Sequence, residues 1–356
     1  KNKNLMRESS VVLLLVVGLG VVVALIVVVV VALLTAVGVS ALLTAVVAYA
    51  ARRLSRAALL RQLAADGQVL LDARWGMACR IVHGVPYVGF ITEGAVDELQ
   101  RDFEPRSTDV FVTTYPKCGT TWMQQICALL LNGQDAPIDL RKEAPWIEKG
   151  VTSGDLSVED LRDGPEGRRR VFKTHAPRSL MPTKDGKIGD AKVIYVARNV
   201  KDACVSSFFH NRSIPAHHYD GPFDHFVGMY LAGQIEHGSW FSHVADWWHA
   251  HLEDPNHVHW VTYEELQRSP EATLKSLASF LGVECDEATV ARVLRGSTFA
   301  AMKLQDETYA SVGGPRKKVD GATIGHFRAG KSYGWRSALT ARQSGSSVTK
   351  KKKKKK

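Results

Sequence analysis

The stretch Thr113-Thr114-Tyr115-Pro116-Lys117-Cys118-Gly119-Thr120-Thr121-Trp122 limits what this chain can fold into more than any other. Before it, Asp109–Val112 reads as a buried β-strand; after it, Met123–Leu131 reads as an apolar helix. A lysine, a glycine and two threonines therefore sit where a strand hands over to a helix N-terminus. Such a terminus presents unpaired N–H groups and a partial positive charge, which suit a phosphate. Lys117 adds a full charge, and the threonine hydroxyls add donors. The loop reads as an anion site for a nucleotide. It is not a Walker A loop, which needs two glycines five apart and a lysine directly before the Ser/Thr at the helix start. Here the lysine comes early, one glycine follows, and Trp122 closes the loop.

Two later segments also deliver charge at a strand end. In Val171-Phe-Lys173-Thr-His175-Ala-Pro177, Lys173 and His175 are two apart, so their side chains share a face. They would emerge at the C-terminal edge of the sheet, where open α/β folds bind ligands. In Lys192–Ser206 a buried strand ends at Arg198. Asn199 can cap the next helix, Asp202 can close that cap, and Ser206 lies two turns in. An arginine fork with a hydroxyl suits a terminal phosphate. Alone, these would be ordinary surface residues and an ordinary strand–helix junction; the Lys117 loop gives them weight.

The order Tyr-Pro-Lys-Cys-Gly-Thr-Thr-Trp resembles the 5′-phosphosulfate loop of the cytosolic-type sulfotransferases, which use 3′-phosphoadenosine 5′-phosphosulfate (PAPS). The resemblance covers residues 81–340. It implies that Lys117, Cys118, Gly119, Thr120, Thr121 and Trp122 bind the co-substrate. Cys118 stands where the family has serine, and reads as a small replacement rather than a nucleophile. Lys173-Thr-His175-Ala-Pro177 resembles the family's Lys-Thr-His-x-Pro motif. That implies His175 as general base toward the acceptor, suited by a pKa near working pH. Lys117 and Lys173 would stabilise charge on the transferring group and the departing phosphate. Arg198 through Ser206 resembles the family's Arg-Asn-x-Lys-Asp-x-x-x-Ser motif, which implies that Arg198 and Ser206 hold the 3′-phosphate.

Three weaker matches follow. Tyr263 stands where the family has an adenine contact. Ser297 and Phe299 lie in a segment resembling the one whose aromatic packs on the base, opposite Trp122. Arg328-Ala329-Gly330 through Trp335 resembles the C-terminal phosphate clamp, which adds Arg328 and Gly330 to the binding set. Ala329 stands where a lysine is usual and Tyr333 where a glycine is, so one cation is lost. The family's dimerisation pattern is echoed only by Arg336 and Thr340, with Ala341 and Gly345 replacing its valine and glutamate. A homodimer is therefore an open question.

The formal charge of +10 misleads. Seven charges belong to Lys350–Lys356 and two to Lys1 and Lys3, which leaves a body near neutral and no nucleic-acid surface. The lysine run has the form of a translated poly(A) tract; a polybasic tail for acidic lipid or nucleic acid is the alternative. Five cysteines, odd in number and without a CxxC pair, argue against disulfides and against a zinc site. His243, His249, His251, His257 and His259 fit no ligand spacing, and read as a packed helix followed by a strand. No metal is expected.

Val11–Ala51 is almost wholly apolar and uncharged. As a helix it would run about 60 Å, roughly twice a bilayer core. It reads as one or two membrane spans, a hairpin breaking near residues 35–40. Arg52, Arg53, Arg56 and Arg61 place the downstream domain in the cytosol by the positive-inside rule, with a Golgi-lumenal enzyme as the alternative. The chain is then a leader (1–10), a membrane segment (11–51), a linker helix (52–80), a sulfotransferase domain (81–340) and a disordered tail (341–356).

From residue 81 strands and helices alternate, which predicts a single α/β domain: a P-loop-like parallel sheet covered by helices on both faces. Predicted strands are Asp109–Thr114, Arg170–Thr174, Lys192–Ala197 and Val258–Tyr263. Predicted helices are Thr121–Leu131, Val200–His210, Phe223–Gln234, Phe241–Leu252, Pro270–Leu281 and Glu287–Leu294. The resemblance implies sulfuryl transfer to a hydroxyl or amine of a small acceptor. Phe90, Trp146 and the Phe208-Phe209 pair are candidates for its apolar pocket. A P-loop kinase would need a Walker A lysine and a magnesium-binding acidic residue; a membrane adaptor that keeps the nucleotide fold is the non-catalytic alternative.

Overall fold

The computed structural model describes residues 2–133, 135–163, 169–304, 316–319 and 321–345, with the backbone alone described for parts of the first helix. The chain divides into two units. One is a single helix, Asn2–Ala65; the other begins at Asp66.

The second unit opens with an antiparallel meander, β1 (Val69–Asp72), β2 (Gly76–Val82) and β3 (Val85–Val88). Its centre is a four-stranded parallel sheet of β4 (Val110–Thr114), β5 (Val171–Thr174), β6 (Lys192–Ala197) and β7 (Val258–Thr262), in the order β5-β4-β6-β7. Val110 pairs with Val171 on one side and Lys192 on the other. The two-residue period of the strands makes two cores from one sheet. Val110, Val112, Ile194 and Val196 face one way, onto the helices Thr120–Asn132, Pro270–Leu281 and Glu287–Gly296. Phe111, Phe172, Val193 and Tyr195 face the other, against Leu99, Trp247 and Ala250 of the helices Glu93–Asp102 and Trp240–Glu253. Both faces being covered explains the nearly unbroken apolar strands. Losing one such ring, as in Phe111→Ala, would cost about 3–5 kcal/mol. At the other end of the strands, Arg170 donates to both oxygens of buried Asp109, at 2.8 and 2.6 Å, and ties β5 to β4.

The expected α/β architecture, a parallel sheet under two helical layers, is therefore present. Each expected strand and helix in the sheet region appears within a few residues of its predicted ends. The N-terminal third differs. The linker helix expected over 52–80 ends at Ala65, and residues 69–82 form strands instead: Asp72 accepts from the amides of Arg74 and Trp75, which turns the chain into the β1–β2 hairpin. The break expected near residues 35–40 is absent, because Asn2–Ala65 is one continuous helix.

The membrane anchor read from Val11–Ala51 also needs correction. Among the described residues, no helix is long and apolar enough to cross a membrane. Residues 11–21 of the run lie outside the described side chains. The assignment of a membrane-anchored enzyme facing the cytosol, or else the Golgi lumen, rested on that span and falls with it.

Candidate active site

The four parallel strands end together, and the loops after them carry Lys117, His175, Arg198 and Tyr263 to one edge of the sheet. There they line a cleft of about 740 Å³. Fourteen of the fifteen side chains singled out from the sequence border it: Lys117, Gly119, Thr120, Thr121, Trp122, Lys173, His175, Arg198, Ser206, Tyr263, Ser297, Phe299, Arg328 and Gly330. Cys118 does not. It is fully buried beneath the loop, its thiol directed at the Pro116 carbonyl, and burial pushes its pKa up to about 12. A thiol so held is not a nucleophile.

The loop between β4 and the helix Thr120–Asn132 is strained. Lys117 has a φ of 67° and Gly119 of 106°. A side chain is costly in the left-handed region, and a Cβ on Gly119 would lie 2.7 Å from the Tyr263 ring. Gly119 is the helix N-cap and supplies no capping side chain, so the first-turn amides keep their open donors toward the cleft. Thr120 bonds back to Thr114 at 2.6 Å, and Thr121 to His326 at 3.0 Å. The Lys117 ammonium lies 3.3 Å from His210 Nδ1. Burial, then repulsion from Arg316 and Lys173, brings its pKa down to about 7.

Lys173 and His175 leave β5 beside this loop. His175 Nδ1–H donates to the Thr114 carbonyl at 2.8 Å, which leaves Nε2 as the lone-pair nitrogen. Burial, and secondly the Lys173 charge, hold His175 well below the usual imidazole range, so it is unprotonated at neutral pH. The Lys173 ammonium sits 4.0 Å over the Trp146 ring. Burial brings its pKa down to about 8, although the Glu148 carboxyl pulls the other way. Glu148 is itself pushed up to about 7 by burial.

Arg198 bridges the two walls of the cleft. One Nη donates to the Lys117 carbonyl at 2.9 Å, the other to the Lys331 carbonyl at 3.0 Å, and the guanidinium lies 4.3 Å from the Tyr263 ring centre. Trp122 meets Tyr263 edge-on at 5.3 Å. Across from them Phe299 packs on Gly330, whose place no larger residue could take. The wall after residue 330 is held by two side chains that sequence reasoning missed or misread. Gln267 donates to the Gly330 carbonyl at 2.6 Å and accepts from the Ser332 amide. Asp202, expected to close a helix cap, instead accepts from the amides of Tyr333 and Trp335 at 2.7 and 3.0 Å. Asn199 caps the helix Val200–Ser213.

The other end of the cleft was largely unforeseen. Phe90 and Trp146 line it as expected, but Phe208 and Phe209 do not: Phe208 packs with Phe223 and Phe226 in a separate core, and Phe209 lies under Arg328. In their place stand His210, His217, Glu236 and His237. Two histidines of the cluster seen in the sequence are structural: His243 bridges the Tyr195 hydroxyl and the His175 carbonyl, and His251 bonds the Val258 carbonyl. Among the described residues no cluster of three or more His, Cys, Asp or Glu could hold a metal. Among the described residues, the basic side chains of Lys117, Lys173, Arg198, Arg316 and Arg328 line the cleft, against one carboxylate, that of Glu236. The mutual repulsion favours an anionic ligand.

Comparison with known proteins agrees with this geometry. Residues 107–351 match the model of the sulfotransferase domain family. The chain is 32% identical over 273 residues to Sulfotransferase 1A1 of Bos taurus, covering 74% of this chain and 88% of that protein. It is 32% identical over 270 residues to Sulfotransferase 1 family member D1 of Mus musculus, with the same coverage. Among solved structures it resembles the mouse sulfotransferase SULT7A1 complexed with PAP, at a TM-score of 0.60 and 25% identity over 75% of this chain and 90% of that one. Retinol dehydratase with androsterone and inactive cofactor PAP shares the fold, at a TM-score of 0.62 and 20% identity over 78% and 86% of the two chains.

Proposed function

The chain belongs to the sulfotransferase family, and from that membership we propose that it moves a sulfuryl group from PAPS to a hydroxyl or amine of a small acceptor, with His175 as base. The observation that carries this reading is the meeting, in one cleft, of an uncapped helix end with Lys117, a neutral His175, and the bridging Arg198. The cleft's features fit a nucleotide: Gly119 and Gly330 admit the rings of Tyr263 and Phe299, and the Trp122 Nε1 and Arg198 Nε donors are buried without protein partners. Lys117, Gly119, Thr120, Thr121 and Trp122 would bind the 5′ side. Arg198, Ser206, Arg328 and Gly330 would bind the 3′-phosphate, and Tyr263, Ser297 and Phe299 the base.

PAPS supplies an activated sulfuryl group, whose sulfur–oxygen bond to phosphate breaks as the bond to the acceptor oxygen forms. His175 Nε2 takes the acceptor's proton, while Nδ1–H stays on the Thr114 carbonyl and fixes the ring. Lys117 and Lys173 neutralise charge on the departing phosphate and on the group in transit. Calorimetry with 3′-phosphoadenosine 5′-phosphate (PAP), ADP and ATP tests the nucleotide half of this reading, and transfer of labelled sulfate from PAPS tests the other. Preference for PAP supports it; equal affinity for all three nucleotides, or no transfer to any acceptor, overturns it.

A further inference from the structure

His237 stands apart from the machinery above. It is buried and lines the cleft, and its ring feels the His175 backbone, yet neither ring nitrogen makes a full hydrogen bond to the protein. A buried polar group without a partner is costly, and most such groups in folded proteins have one. Its backbone is strained as well: φ is 60°, in the region a β-carbon disfavours. The residue is pinned in that conformation, because its amide donates to the Pro86 carbonyl at 2.5 Å and its ring rests at 4.9 Å on Tyr87. The His237 ring lies 5.3 Å from that of His175. Phe90 and Trp146, edge-on to each other at 5.5 Å, also line this end of the cleft, and Trp146 meets the His175 ring at 5.1 Å. A flat apolar body packed against these aromatic rings, with its reacting hydroxyl at His175, would place a neighbouring substituent at His237.

We propose that His237 is a specificity-determining residue that hydrogen-bonds a second hydroxyl adjacent to the one being sulfated, so that the protein selects vicinally dihydroxylated aromatic acceptors over those with a single hydroxyl. This rests on the sulfotransferase reading of the site. A hydroxyl both donates and accepts, and so can satisfy an imidazole whichever nitrogen carries the proton. An acceptor with a methyl group in that place would leave the imidazole buried and unsatisfied, the situation in which a site discriminates most strongly.

The test uses catechol and 2-methylphenol, which match in shape and differ in that one hydroxyl. Labelled PAPS reports kcat/KM for each, in the wild type and in His237→Phe, with PAP affinity by calorimetry as the check on the fold. The wild type is expected to prefer catechol, and His237→Phe to lower the catechol to 2-methylphenol ratio by roughly 10- to 100-fold. His237→Asn, which keeps a donor and an acceptor and tolerates positive φ, is expected to restore part of the ratio. If the phenylalanine variant does not fold, His237→Gly removes the ring, relaxes the backbone and makes the same test. A wild type without preference, or a ratio unchanged by the loss of the ring, overturns the role of His237. Transfer to neither probe while other acceptors are sulfated also overturns it. Absence of transfer to every acceptor, with PAP still bound, overturns the catalytic reading instead.

Discussion

The two ends of the cleft are built in different ways. At the proposed nucleotide end, Lys117, Arg198 and Tyr263 follow on the parallel strands β4, β6 and β7 and introduce helices, so each is placed by a strand of the central sheet. At the proposed acceptor end, His217, Glu236 and His237 come from connections between helices; Glu236 accepts from Asn211, Asn211 bonds His217 at 2.6 Å, and His237 is held by Pro86 and Tyr87. The first construction fixes a ligand through backbone geometry. The second fixes it through side-chain identity, which is easily varied while the fold persists. His175 belongs to both: it leaves β5, and as the proposed base it would serve the acceptor.

The comparison can be broken most decisively at His175. His175→Ala is expected to lower kcat by about 10²–10⁴, the usual cost of losing a general base, while PAP binding stays near wild type. Calorimetry beside turnover decides it; if PAP affinity falls as far as the rate, the two ends are not separable. Arg198→Ala should act in the opposite sense, on binding. PAP affinity is expected to weaken by about 1.5–3 kcal/mol, with ADP affected less because it lacks the 3′-phosphate. An equal loss for both nucleotides would mean that Arg198 acts only by bridging the walls.

A smaller effect comes from pH. The Lys117 pKa is near 7 and the Lys173 pKa near 8 before an anion arrives. An anion favours both ammonium forms, so binding at pH 8 takes up protons. PAP affinity is expected to be highest near pH 7 and to fall toward pH 9, by at most about tenfold per unit for each proton taken up. Titrations at pH 8 in buffers of differing ionisation enthalpy read the uptake directly, and an unchanged affinity from pH 7 to 9 counts against the depressed lysines. The smallest effect concerns Ala329, which lines the cleft where a lysine was expected. Ala329→Lys is expected to tighten PAP by about 0.5–1 kcal/mol, the scale of a partly exposed charge pair; no gain would place that position beyond reach of the ligand.

The same contrast explains what the sequence disclosed. Strand and helix periods, and loops at the junctions between them, leave local signatures, so the sheet, the Lys117 loop, Lys173, His175, Arg198 and Ser206 were legible from local pattern, whereas Tyr263, Ser297, Phe299, Arg328 and Gly330 were named only through the family resemblance. His237 was not, because its partner Tyr87 is 150 positions away and nothing local marks the pairing. Phe208 looked like pocket lining by composition, but its face of the helix points into a separate core. Asp202 has the spacing of a capping residue, yet a tertiary contact claimed it. Apolar length alone likewise overstated what residues 11–51 do.

That contact of Asp202 bears on how the cleft wall comes apart. One carboxylate accepts two amides from a segment more than 130 positions downstream. Each such charge-assisted bond is worth on the order of 1.5–3 kcal/mol. Tyr333 and Trp335 therefore cannot fray singly; their amides become accessible only when the whole segment lifts. In hydrogen exchange with solvent deuterium the two should behave as one cooperative unit, with shared protection, distinct from that of the central sheet. That segment would then open as a block, and its opening frequency would set an upper limit on how fast a nucleotide held beneath it escapes.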